Sequence, residues 1–220
     1  MSAAPTGNSH ARSVIRAPLR TGKPETGCVV LSAGASSRMG RHKALLPMPD
    51  GRSFLSQIIF QYRRAGVQCI AVVLHPGIPL ESIPIDPVVT VVVNHAASAG
   101  RLGSLRLGLA ALPGVDHCFV HNIDNPFVDP ATIEHLHAVR DRAASITPCH
   151  QERGGHPILL GPAAIDLIAE RTETDLPLRD VLALLPRHRV EVQDARILAN
   201  VNTPQDHAHW FGTATADEHA

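Results

Sequence analysis

Short apolar runs alternating with helical patterns constrain this chain more than anything else in it. Cys28–Ser32, Cys69–Leu74, Val88–Val93 and Cys118–His121 are apolar or β-branched runs, as expected of strands buried on both faces. Between them, Ser53–Arg64 sets Phe54, Leu55, Ile58, Ile59 and Tyr62 on one helical face and stops at Gly66. Ser104–Leu112 repeats that pattern. Asp129–Pro130 and Thr203–Pro204 each read as an N-cap followed by proline at the first helical position. Strands alternating with helices predict a three-layer α/β/α sandwich on a mainly parallel, Rossmann-like sheet. Ligands of such sheets bind beyond the carboxyl ends of the strands, so the segments that follow each strand carry the function.

The segment after the first strand is unusual. Cys28–Ser32 runs into Ala33-Gly34-Ala35-Ser36-Ser37-Arg38-Met39-Gly40, then Arg41-His42-Lys43-Ala44-Leu45-Leu46-Pro47. Small residues let backbone N–H groups approach phosphate oxygens, and Arg38 and Lys43 can neutralise the charge. Of the 20 Lys and Arg residues only Lys23 and Lys43 are lysine, so this loop holds the one lysine of the expected folded core. A compact ammonium on a flexible stem suits a migrating phosphoryl charge. The spacing is neither G-x-x-x-x-G-K-[ST], because Ala44 follows the lysine, nor G-x-G-x-x-G, because Ala33 and Ala35 flank a single Gly34. A surface loop that is basic and glycine-rich without a ligand is the alternative.

Composition sets the surroundings. The chain has 220 residues, enough for one domain with a substantial core, and its 20 basic and 20 acidic side chains balance. No overall field therefore favours nucleic acid or membrane. Residues 1–26 carry Arg12, Arg16, Arg20 and Lys23 against Glu25 alone, lack periodicity, and read as a disordered leader. Residues 27–212 form the expected domain, and residues 213–220 are expected to fray. Cys28, Cys69, Cys118 and Cys149 are widely spaced and read as buried thiols rather than a metal or redox set. No stretch approaches the length of a membrane span, and the leader lacks the apolar segment of a secretory signal, which predicts a cytoplasmic protein.

The run L-S-A-G-A-S-S-R-M-G-R-H-K-A-L-L-P resembles the signature loop of the molybdenum cofactor nucleotidyltransferase family. The resemblance continues in order at Ser104–Leu109 (S-L-R-x-G-L), Asp124–Pro126 (D-x-P), Gly155–Leu159 (G-H-P-[IV]-L) and Asn202–Asp206 ([DN]-T-P-x-D). It implies transfer of a nucleotide from an NTP to a phosphorylated pterin, molybdopterin, with release of pyrophosphate. A molybdoenzyme or its chaperone would then receive the product. It implies Mg²⁺ held by Asp124 and Asn202, catalytic roles for Arg38, Lys43 and Asp124, and an acceptor site at Gly155 and His156. Nucleotide contacts fall on Ser32, Ala33, Gly34, Ala35, Ser36, Ser98, Gly100 and Ser104.

Several departures and alternatives stand beside this resemblance. The family often has D-M-P where this chain has Asn125 in the middle, and commonly has Met where Arg101 stands. Asp124 also suits a turn before Pro126, Asn202 suits backbone capping ahead of a helix, and Ser104 suits a helix N-cap. His156 alone would read as a surface imidazole, and His207 and His209 as solvated. Ser32-Ala33-Gly34 and K-A-L-L-P resemble the cytidylyl branch, so CTP is expected. Asn200-Val201-Asn202-Thr203-Pro204 resembles the guanylyl branch, so GTP is the alternative, as is a sugar or alditol phosphate acceptor. A dinucleotide-binding oxidoreductase fits the α/β pattern but lacks its glycine fingerprint and a clear acidic residue after Leu74. A non-catalytic nucleotide sensor is a further alternative.

Overall fold

The computed structural model describes residues 14–15, 26–34, 36, 38–83, 89–96, 100–172 and 176–212. Ala35 and Ser98, two of the expected nucleotide-binding residues, lie outside these, as do most of residues 1–25 and all of 213–220. The chain order is β1 (Val14–Ile15), β2 (Thr26–Ser32), α1 (Phe54–Arg64), β3 (Cys69–Leu74), β4 (Val89–Val93), α2 (Gly100–Ala110), β5 (His117–Asn122) and α3 (Pro130–Ala138). There follow β6 (Ser145–His150), β7 (Arg153–Gly154), β8 (Ile158–Leu160), α4 (Pro162–Glu170), α5 (Leu178–Leu182), β9 (Arg187–Glu191) and α6 (Pro204–Phe211).

One sheet holds all the described strands, in the order β1-β4-β3-β2-β5-β8-β6-β7, with β9 alongside β6. β4, β3, β2 and β5 are parallel neighbours, and β6 pairs in parallel with β9. Crossover helices make this possible, because parallel neighbours cannot be joined by tight turns. β8 is antiparallel to both β5 and β6. The strand period divides the core into two layers. Cys28 and Val30 of β2 face a cluster with Phe54, Ile58 and Ile133 from α1 and α3. Val29 and Leu31 face another with Leu102, Leu105, Ala164 and Val181 from α2, α4 and α5. The expected three-layer sandwich is present.

The ordered chain starts earlier than the sequence indicates. β2 begins at Thr26, and Val14–Ile15 pairs antiparallel with β4 at the sheet edge (Val14 opposite Val92, Ile15 opposite Val91). Three residues of the expected disordered leader, Val14, Ile15 and Thr26, therefore belong to the sheet. Backbone pairing at an open edge explains how so short a segment docks without helical or strand periodicity around it.

Other differences have local causes. α2 starts at Gly100, not Ser104, so Ser104 lies a full turn inside the helix and is no N-cap. Its Oγ bonds the Gly100 carbonyl at 3.4 Å and accepts from Asn94 Nδ2 at 2.9 Å. α2 packs against the sheet through Gly108, where a Cβ would lie 2.4 Å from Val29 Cγ1. His207 is not merely solvated. Its ring stacks on Phe54 with centroids 5.9 Å apart, and its Nε2 donates to the Pro47 carbonyl at 3.0 Å. Cys28, Cys118 and Cys149 are buried and Cys69 half-buried, and none of the four is in a disulfide. Burial pushes the Cys118 thiol up to about 12 and Cys28 well above its ordinary range, which leaves both protonated and unreactive.

Candidate active site

A cleft of about 320 Å³ opens beyond the carboxyl ends of β2 and β5. It is lined by Leu31, Ala33, Gly34, Ser36, Arg38 and Lys43, by Gly100, Arg101 and Ser104 of α2, by Asn122, Ile123 and Asp124, and by Asn202. Four segments far apart in sequence thus meet here, brought together by the parallel order of the strands. Ser32, between the lining residues Leu31 and Ala33, is not itself part of the lining: it is 3% exposed, and its carbonyl accepts the His75 N–H at 3.2 Å.

The loop after β2 turns sharply to present its cations. Ser36 and Gly40 adopt positive φ, at 50° and 70°, the left-handed region that single small residues reach most readily. Met39 N–H closes the turn onto the Ser36 carbonyl at 2.9 Å, and the Met39 side chain plugs into the core. Lys43–Leu45 makes one 3₁₀ turn, with Ala44 fully buried and Leu46 nearly so. Alanine after the lysine is therefore a packing requirement, since a hydroxyl there would need a partner inside the core. Gly34 is exposed, and a Cβ added to it would meet nothing within 4 Å. Space, rather than protein packing, surrounds it.

Lys43 reaches out of this turn to α6. Its Nζ donates to Asn202 Oδ1 at 2.6 Å. Asn202 is held in turn by the α6 capping box. Asp206 Oδ2 accepts the N–H groups of Asn202 and Thr203, both at 2.9 Å, and Thr203 Oγ1 accepts the Asp206 N–H at 3.1 Å. These bonds to the ionised form hold the Asp206 carboxyl below its ordinary range. Partial burial lowers the Lys43 ammonium, with the cations Arg38 and Arg101 acting in the same direction and Asp124 and Asp206 opposing.

Asp124 stands on the turn after β5, its carbonyl accepting Val201 N–H at 2.7 Å. Its Oδ1 is buried with no hydrogen-bond partner. A buried carboxylate oxygen without a partner costs roughly 1–3 kcal/mol or more. A hard cation relieves that cost, and carboxylate and amide oxygens are the donors Mg²⁺ takes. The residues present therefore fit a divalent cation at Asp124, with Asn202 lining the same cleft. The amide oxygen of Asn202 has two lone pairs, so its bond to Lys43 leaves one acceptor direction free.

The Gly155–His156 segment adjoins this wall. β6 and β7 form a two-residue hairpin through Gln151 and Glu152, both at positive φ (50° and 66°). β7 and β8 then lie on the same side of β6 but with the register shifted by two residues, His150 opposite Arg153 and Ile146 opposite Leu159. Gly155–Pro157 takes up the slip and leaves the ladder. Gly155 is buried against the Ile197 backbone, and His156 Nε2 pairs with Asn122 Nδ2 at 2.8 Å. Burial lowers the His156 imidazole below its ordinary value, Asp124 partly opposing and Arg101 assisting, so the ring is neutral at neutral pH. Its Nδ1 is buried without a partner.

The structure thus brings Ala33, Gly34, Ser36, Arg38, Lys43, Gly100, Ser104, Asp124 and Asn202 around one cleft. Gly155 and His156 sit behind it, joined through Asn122. Sequence reasoning passed over Asn122, although it is the last residue of a strand that points at the cleft. It also gave no role to the amide of Asn125, which is 1% exposed.

The sequence profile of the MobA-like NTP transferase domain matches residues 28–192, from the first core strand to just past β9. The chain belongs to this family. It is accordingly a nucleotidyltransferase. The molybdenum cofactor cytidylyltransferase of Escherichia coli K12 is 30% identical over 183 residues, covering 81% of this chain and 92% of that protein. A molybdenum cofactor guanylyltransferase of Rhizobium leguminosarum is also 30% identical, covering 84% and 91%. Among solved structures, Rv0371c of Mycobacterium tuberculosis superposes with a TM-score of 0.72 at 25% identity, covering 84% of this chain and 97% of that one. Rv0371c has also been solved with manganese.

Proposed function

We propose that this enzyme transfers CMP from CTP to the terminal phosphate of molybdopterin, releasing pyrophosphate, with Mg²⁺ bound by Asp124 and Asn202. The observation that carries this reading is the cleft itself. Its lining holds Lys43 and Arg38 together with Asp124, whose buried carboxylate oxygen has no partner. Such a space suits a polyphosphate bridged to a cation.

The acceptor phosphate oxygen attacks the α-phosphorus, the new O–P bond forms, and the bond from that phosphorus to the bridging oxygen of the β-phosphate breaks. The attacking oxygen is already anionic, so no protein nucleophile or base is needed. Catalysis then consists of alignment and charge neutralisation. Arg38, Lys43 and the loop amides around Gly34 neutralise and orient the phosphates. Ala33 and Ser104 border the nucleoside, while Gly155 and the neutral His156 border the acceptor. When bound, the divalent cation supplies Lewis-acid stabilisation of the phosphoryl oxygens.

GTP is the second reading, supported by Asn202 standing where an aspartate would favour the cytidylyl branch. Purified protein with each of the four NTPs, Mg²⁺ and molybdopterin tests both, by pyrophosphate release. CTP should give the fastest release. Failure of all four NTPs to give release overturns the substrate assignment.

A further inference from the structure

The backbone carbonyl of Ile197 accepts hydrogen bonds from both halves of the site. Asn125 Nδ2 donates to it at 3.0 Å, and the His156 backbone N–H donates at 3.0 Å from the other side. Asn125 Nδ2 also donates to the Arg196 carbonyl at 3.1 Å, and Asn125 Oδ1 accepts the Phe127 N–H at 3.2 Å. Both amide hydrogens and the amide oxygen are therefore engaged. Gly155 presses on the same turn so closely that a Cβ would lie 2.4 Å from the Ile197 oxygen.

The backbone of Asn125 is fixed as firmly as its side chain. Its carbonyl accepts from His121 Nε2 at 2.7 Å, and Tyr62 Oη donates to His121 Nδ1 at 3.1 Å. Next to it, the Asp124 carbonyl accepts Val201 N–H. The loop bearing Asp124 is thus tied at several points to the 195–201 segment, and that segment carries the backbone of Gly155 and His156. A methionine at position 125, which the family often has, could donate none of these bonds.

We propose that Asn125 is a positioning residue that sets the Asp124 carboxylate and the Gly155–His156 segment at a fixed separation, through the Arg196–Ile197 turn. The proposal deepens the function reading above and rests on its assignment of Asp124 to the cation and His156 to the acceptor. Asn125 touches neither substrate. It acts because one amide fills the space between two loops that must hold two ligands in register for in-line attack.

Asn125→Met and Asn125→Asp test this. The first keeps the bulk and removes all the side-chain polar contacts. The second keeps the accepting oxygen and removes both donors. In either variant the molybdopterin KM and the Mg²⁺ needed for half-maximal rate should each rise about tenfold, with the CTP KM within twofold. Hydrogen exchange at the His156 amide should accelerate at least tenfold, while exchange at Val72 in the central sheet stays at the wild-type rate.

Equal rises in all three constants, or His156 exchange within twofold of wild type, would overturn the proposal. Should neither variant fold, the wild type decides. Mg²⁺ titration must then change exchange at the Val201 and His156 amides together, and a change at Val201 alone refutes the coupling. The exchange measurements need no turnover. A wild type that releases no pyrophosphate would sink the function reading and still leave the coupling decided.

Discussion

Lys43 and Asn202, 159 residues apart in sequence, meet through a 2.6 Å hydrogen bond from ammonium to amide oxygen. The contact pins the loop after β2 to the start of α6. A lysine at a helix N-terminus opposes the helix dipole, and the Asp206 carboxylate in the first turn offsets that charge. The ammonium is therefore held at the cleft by the protein itself, and on the proposed function little reorganisation would remain at the moment of reaction.

Replacing Lys43 by Ala should lower the rate by roughly 10²–10³-fold, the scale of removing one preorganised electrostatic group. The pH profile adds a sharper check. Partial burial lowers the Lys43 ammonium, so its charge is lost as pH rises through a value below that of an ordinary lysine. Wild-type kcat/KM should fall on the alkaline side accordingly. Lys43→Arg stays charged throughout and should be slower at neutral pH but lack that alkaline fall. A near-normal rate for the alanine variant would mean that the loop does not neutralise phosphate.

Asp124→Asn should raise the Mg²⁺ concentration needed for half-maximal rate at least tenfold, since the one charged ligand becomes neutral. The same change relieves an unpartnered buried carboxylate oxygen, so the melting temperature without metal should hold or rise. An unchanged metal response, or metal-independent activity, would assign Asp124 to the turn alone.

The first half of the fold was legible because its strands are continuous apolar runs. β2, β3 and β4 are buried residue after residue, and their helices carry clear apolar faces. The strands after β5 were not, although the proline-led starts of α3 and α6 were. β9 reads Arg-His-Arg-Val-Glu with only Val190 buried, and β6 contains Pro148, both against an ordinary strand pattern. Within the site, the loop residues and Asp124 were visible because their chemistry follows strands directly. Asn125 stood in plain view inside D-x-P, but its partners Arg196 and Ile197 lie 71 and 72 residues away. No local signal could reveal that contact.

Gly34→Ala separates packing from ligand space. A methyl group there meets no protein atom within 4 Å, so the melting temperature should hold or rise slightly as the unfolded chain loses freedom. If phosphate oxygens approach the loop backbone at this point, the CTP KM should rise about tenfold or more. Unchanged kinetics would place the phosphates elsewhere in the cleft.

Removing residues 1–25 takes β1 from the edge of the sheet and bares β4. Two residues of pairing amount to ~1 kcal/mol, or roughly 2–4 °C in a chain of this size. The exposed edge should also promote association at high concentration. Calorimetry and light scattering on the shortened chain check both effects. A melting temperature and scattering identical to those of the full chain would show that β1 contributes nothing to stability.

Base choice turns on Ala33, which is 7% exposed and lines the cleft beside Leu31. Its methyl group stands where the guanylyl branch usually has glycine, and on the proposed function it would narrow the space for the base. A pyrimidine needs less room than a purine, so CTP should be preferred over GTP. Shape alone gives a margin of about 1–3 kcal/mol, or roughly 10- to 200-fold in kcat/KM. Ser104 adds nothing polar to this margin at first sight, since its hydroxyl is already engaged by Asn94 and the Gly100 carbonyl. Ala33→Gly should therefore narrow the CTP:GTP ratio while leaving the CTP rate within an order of magnitude. Competition between the two nucleotides on the wild type and this variant decides the matter. A wild type that prefers GTP would make Asn202 the better guide to the base, and the transferase assignment would stand with the other nucleotide.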